Sequence, residues 1–150
     1  MILLDTNILS ELMKPSPHAG VSAWVDARLE TDLYICAITL AEIELGIALL
    51  PDSARRDTIA AAAQAMFDQF SGRCLVFGET AATQYARLVA HRRQLGRPIH
   101  VEDAQIAAIA LAHGLRLATR NVKDFEHIPN FIGRKLRICR TCQIHECHKH

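Results

Sequence analysis

The feature that most limits what this chain can become is its start. An unbroken apolar run, Ile2-Leu3-Leu4, stops at Asp5 and passes at once into Thr6-Asn7-Ile8-Leu9-Ser10-Glu11-Leu12. A strand apolar on both faces belongs inside a sheet covered by helices, because a half-exposed strand alternates with polar residues. The segment after Asp5, apolar at Ile8, Leu9 and Leu12, reads as a helix that packs back onto that sheet. An acid at the carboxyl end of a buried strand faces the crevice where open α/β sheets hold their ligands. Asp5 is therefore a candidate for chemistry, and equally a helix N-cap, since Asp side chains satisfy free amides at helix starts.

Strand and helix signals go on alternating. Pro15 and Pro17 stop the first helix near Met13 or Lys14. A second helix follows over 21–29, then a short buried strand over 33–37 ending at Ile38-Thr39. Thr39 with Glu42 three places on has the capping-box pattern, the structural alternative to any functional role for Glu42. The third helix, 40–50, is apolar nearly all round and is expected to be buried. Its acids Glu42 and Glu44 lie about 200° apart on the helical wheel, so they cannot serve one cavity equally. A fourth helix is expected over 54–70, a strand over 74–77 and a fifth helix over 79–95. The fifth carries an apolar stripe at Ala82, Tyr85, Ala86, Leu88 and Val89, and Arg87, Arg92 and Arg93 on its outer face. After the stop at Gly96-Arg97-Pro98, a helix with Asp103 in its first turn runs into seven consecutive Ala, Ile or Leu residues from Ile106, as a buried helix does. Gly114 ends it, and a strand over 115–119 runs directly into Arg120-Asn121-Val122-Lys123-Asp124-Phe125. A weak last strand is expected within 131–138.

The order implies an α/β fold, a three-layer α/β/α sandwich around a mainly parallel sheet of four to five strands. At 150 residues, half of them hydrophobic, the chain suits one domain, assigned to 1–132, with a basic Cys/His-containing tail over 133–150. Seventeen Lys and Arg against sixteen Asp and Glu leave a net charge of +1, so any nucleic-acid contact must be local. The opening apolar run is too short for a membrane span or signal peptide, so the expected location is cytoplasmic. Cys36 and Cys74 fall in apparent strands, where a reduced Cys acts as a small apolar residue. Cys139 and Cys142 have zinc-knuckle spacing, with Cys147, His145, His148 and His150 nearby. No second spaced pair closes the set, which favours a loose basic tail or an altered chain end over a structural zinc site.

In this layout Asp5 and the 121–124 segment follow strands, while Glu42 and Asp103 occupy first turns of helices, all opening toward one rim of the sheet. Acids gathered there require a positive charge among them. Oxygen-only ligands favour Mg2+ or Mn2+. Such an ion activates a water and stabilises charge on a phosphodiester, with room for a second ion about 4 Å away. Hydrolysis of a phosphodiester is the reaction this ligand set suits.

Four stretches carry a specific resemblance: Ile2-Leu3-Leu4-Asp5-Thr6-Asn7, Ala37-Ile38-Thr39-Leu40-Ala41-Glu42, Glu102-Asp103-Ala104-Gln105-Ile106-Ala107-Ala108, and Ala118-Thr119-Arg120-Asn121-Val122-Lys123-Asp124-Phe125. In order and spacing they are similar to the four motifs of PIN-domain ribonucleases, above all the VapC and FitB toxins of type II toxin-antitoxin pairs. The resemblance implies that Asp5, Glu42 and Asp103 hold Mg2+, which Mn2+ can replace. It selects Glu42 over Glu44, gives Glu42 and Asp124 acidic roles in catalysis and Asn121 an orienting one, and sets Thr6 and Asn7 behind Asp5 as its hydrogen-bond partners. It further implies an endoribonuclease acting on single-stranded RNA, a homodimer, and inhibition by a small cognate antitoxin. Arg120 and Lys123 are candidate RNA contacts, with Arg134, Lys135, Arg137 and Arg140 added from the tail. After Phe125 the chain departs from the family's pattern.

Two other classes compete. A phospho-acceptor α/β domain also clusters acids at strand ends, but it needs an acceptor Asp on a central strand and a late Lys, and the second and third strands end in Ile38-Thr39 and Phe77-Gly78. A non-catalytic RNA-binding protein, or a zinc-dependent interaction protein working through the tail, would not need the motif acids that are retained.

Overall fold

The structure is a computed structural model that describes residues 1–125 and 128. Among them four strands form one sheet in the order β3-β2-β1-β4: β1 (Ile2–Leu4), β2 (Leu33–Cys36), β3 (Cys74–Leu75) and β4 (Arg116–Ala118). Every pairing is parallel, with Ile2 opposite both Leu33 and Arg116. The expected sheet and layers are thus present, and the expected strand within 131–138 and the tail lie outside the described residues.

The central position of β1 follows from its composition, because successive side chains of a strand point to opposite faces. Leu3, with Cys36 and Leu117, enters one apolar layer together with α5 (Glu79–Gln94) and α6 (Val101–Ala112). Ile2 and Leu4, with Leu33, Ile35 and Ala118, enter the other. That second layer is built by α1 (Thr6–Leu12), α2 (Ala19–Asp26), α3 (Ala37–Ala48) and α4 (Ala54–Gln69). The all-apolar run of α6 from Ile106 to Leu111 is buried, packed on α5 and β4. Gly114 turns the chain into β4 with φ at +62°, a conformation that a Cβ would oppose.

Several sequence expectations shift. Thr39 is no N-cap: α3 already begins at Ala37, Cys36 is the flanking residue, and the Thr39 hydroxyl is fully buried 3.4 Å from the Cys36 sulfur. Glu42 therefore sits in the second turn of α3, and no capping box forms. Nor is α3 buried all round: Ile43 and Ile47 face the core, whereas Leu45 and Leu49 are 60% and 76% exposed. On α5 the buried positions are Ala81, Gln84, Leu88 and Arg92, so Arg92 lies inside rather than on the outer face. The stripe is set by where α6 lies, and the long aliphatic stem of an Arg can share it. Cys36 is buried as expected, but Cys74 is exposed because β3 is the edge strand.

The far end of α1 is held by Glu11, only 6% exposed. Its Oε1 accepts from the His18 amide at 2.9 Å, and its Oε2 accepts from Lys14 Nζ at 2.6 Å and Arg120 Nη1 at 2.5 Å. The Lys14 hydrogen bond, the His18 amide and the nearby cationic charges hold the carboxyl down at about 2, against an ordinary 4.5. A carboxyl with a lowered folded pKa stabilises above its unfolded value and loses that contribution as pH falls toward the folded one. Glu11→Gln should therefore lower stability at neutral pH, with the gap from the parent closing between pH 4.5 and about 2. Urea unfolding across that range checks this, and a gap constant with pH would reject it.

Candidate functional site

Asp5 ends β1 and caps α1, so one residue is both strand terminus and helix N-cap. The two readings of the sequence are compatible. The backbone remains in the sheet through the Asp5 amide, which donates to Ala118 O at 2.9 Å. The side chain is 2% exposed and takes three hydrogen bonds. Its Oδ1 accepts from the Thr6 amide at 2.8 Å, and its Oδ2 accepts from Asn7 Nδ2 and from the Thr119 hydroxyl, each at 2.6 Å. Burial pushes its carboxyl up and the charge of Glu42 adds to that, against the hydrogen bonds from Thr119, Thr6 and Asn7.

Thr6 is the bridge to the second acid. Its amide serves Asp5, while its hydroxyl donates to Glu42 Oε2 at 2.5 Å. Two carboxylates from segments far apart in the chain are thus joined through one residue. Among the described residues neither is paired with a Lys, Arg or His. Glu44, two residues from Glu42, is exposed.

The remaining candidates are placed differently. Asp103 is half-buried in the first turn of α6. Asn121 is exposed, with its amide donating to the Thr119 hydroxyl at 3.0 Å. Asp124 belongs to α7 (Val122–Phe125), but its side chain lies outside the described residues. Among the described residues no three His, Cys, Asp or Glu side chains gather closely enough to cage an ion. Lys123 is exposed, whereas the Arg120 guanidinium pairs with Glu11 and its amide donates to Asn7 Oδ1 at 2.9 Å.

Thr119 is the site residue that sequence reasoning passed over. Leu4 stands opposite Ala118 in the sheet, which brings the next residues, Asp5 and Thr119, together at the same rim. The signal was present, a polar residue closing a buried strand as Asp5 does; reading it needed the knowledge that β1 and β4 are neighbours.

The donor chemistry fits a hard cation. Asp5 and Glu42 offer carboxylate oxygens, one of them almost wholly desolvated, with neutral hydroxyl and amide donors as their partners rather than a fixed positive side chain. Glu42 opens on a groove of about 530 Å³ lined by Thr6, Lys14, Ile43, Ile47, Arg55 and Ile59 among others.

The PIN domain family matches residues 2–130. The chain is 41% identical to the VapC ribonuclease Y4jK of Sinorhizobium fredii over 84% of its own length and 91% of that protein's. Among solved structures it is similar to FitAB bound to the IR36 DNA fragment, with a TM-score of 0.82, 34% identity and full coverage of both chains. It is also similar to a toxin-antitoxin complex from Klebsiella pneumoniae, with a TM-score of 0.63 and 26% identity over 86% of this chain and 93% of that one. Sheet order, the acid at the end of β1 and the sequence match agree, and the chain belongs to the PIN domain family.

Proposed function

We propose that this chain is a metal-dependent endoribonuclease of the VapC/FitB type, cutting single-stranded RNA and held inactive by a small cognate antitoxin. The observation that carries the reading is the buried Asp5 carboxylate joined to Glu42 through Thr6, neither of them in an ion pair among the described residues. Likeness to a protein named a VapC ribonuclease and to a toxin-antitoxin complex supports the activity and the partner.

In this reading Asp5, Glu42 and Asp103 hold a divalent ion, Mg2+ with Mn2+ as substitute. When bound, that ion supplies the charge that activates water and stabilises the phosphodiester's transition state. The chain's own residues do the orienting. Thr6, Asn7 and Thr119 fix both oxygens of Asp5, and Thr6 fixes one oxygen of Glu42. Glu42 and Asp124 take the acidic roles at the scissile bond, Asn121 helps to orient, and Lys123 contributes a phosphate contact. The catalytic unit is assigned to 1–132, with 133–150 as a separate tail and the cytoplasm as its location; no described helix is long and apolar enough to cross a membrane. The groove beside Glu42 is where the antitoxin docks, since a partner filling it covers Glu42, and the exposed leucines of α3 face a second copy in the homodimer.

The test is direct. The purified chain, incubated with single-stranded RNA and Mg2+, cuts it internally, and adding the cognate antitoxin stops the reaction. RNA left intact under those conditions would overturn the reading.

A further inference from the structure

One part-buried ionic contact ties together the two segments that build the site. Glu11 lies on α1 four residues after Asn7, on the same side of the helix. Arg120 directly follows Thr119. The two are 109 residues apart in sequence, yet Arg120 Nη1 stands 2.5 Å from Glu11 Oε2. Resting on the assignment of Asp5 as a metal ligand, we propose that Glu11 and Arg120 form a positioning pair for Asp5, acting through Asn7 and Thr119.

The geometry gives the route. The Arg120 amide donates to Asn7 Oδ1 at 2.9 Å, so that end of the Asn7 amide must be the acceptor and the other end the donor. Asn7 Nδ2 is thereby turned toward Asp5 Oδ2 at 2.6 Å and toward the Thr119 hydroxyl at 3.0 Å. The same hydroxyl donates to Asp5 Oδ2 at 2.6 Å. Both side-chain donors on that oxygen therefore depend on where residues 119 and 120 sit. Those residues lead out of the sheet after β4, and the Glu11 anchor holds them against α1. Glu11 is itself fixed by the His18 amide and Lys14, so the pair rests on α1 and the turn after it. The Arg120 guanidinium, though 31% exposed, is engaged with Glu11 and serves the site's shape, which separates it from Lys123 as a contact for RNA.

Partners behind a ligating carboxylate change metal affinity by about ten- to a hundredfold when removed. The experiment measures Mn2+ binding to the full chain by electron paramagnetic resonance of the free ion, for the parent, Glu11→Gln, Arg120→Ala and the double variant. RNA-cleavage kinetics and thermal unfolding are followed in parallel. Each single change should weaken Mn2+ binding about tenfold, and the double should be no weaker than the worse single, because both act on one unit. KM for RNA should stay within about twofold of the parent's, and Arg120→Lys should recover part of the loss by keeping the charge. Lower melting temperatures with parent-like Mn2+ affinity in the folded variants would reduce the pair to a structural role and overturn the proposal. So would a raised KM in Arg120→Ala alone, which assigns Arg120 to RNA, and so would a parent that binds no Mn2+. A parent that binds Mn2+ but cuts no RNA refutes the nuclease reading instead, and the Mn2+ measurements still decide the pair.

Discussion

Asp5→Asn should lower the rate of RNA cleavage by about a thousandfold or more while the far-ultraviolet circular dichroism spectrum stays that of the parent. The substitution preserves volume and removes one ligand charge from the carboxylate most deeply built into the site. Losing about 4 kcal/mol of transition-state stabilisation, a modest share of what a bound ion supplies, already corresponds to that factor. Burial of Asp5 and the nearby Glu42 disfavour its ionised form in the metal-free protein, so loss of the charge is expected to leave the chain folded. Single-turnover cleavage at saturating Mg2+ measures the effect, and a variant cutting within tenfold of the parent's rate would remove Asp5 from the metal site.

Chelation should abolish cleavage altogether, and restoring Mg2+ or Mn2+ should bring it back. The same ions should raise the parent's melting temperature. A ligand at a hundred times its dissociation constant stabilises the native state by about 2.7 kcal/mol, worth about 5–10 °C in a domain of this size. Asp5→Asn and Glu42→Gln should each lose most of that shift. Cleavage that persists in excess chelator would exclude the divalent ion, and a thermal shift of equal size in both variants would place the ion elsewhere.

Much of this architecture was legible because apolar runs and their interruptions carry it directly. Ile2-Leu3-Leu4 and the run from Ile106 to Leu111 are buried on all sides, as their composition required. The misreadings share one cause, that a residue's surroundings depend on which element lies against it. The nearly all-apolar α3 looked like a core helix, but Ile43 and Ile47 face the core whereas Leu45 and Leu49 do not. Arg92 looked like surface charge, yet it falls on the side of α5 turned toward α6. At the site, the link between Asp5 and Glu42 was expected from strand ends and the motif resemblance. That Thr6 would make it, and that Thr119 would hold Asp5, required knowing that β1 lies between β2 and β4.

The pairing of β1 with β4 also sets when the surroundings of Asp5 can be completed during synthesis. Asp5 is synthesised 114 residues before Thr119, whose hydroxyl holds it. Contacts of such long sequence separation form late and slowly. A nascent polypeptide that lacks β4 cannot place the Thr119 hydroxyl on Asp5, so under the proposed function cleavage waits until β4 has been made.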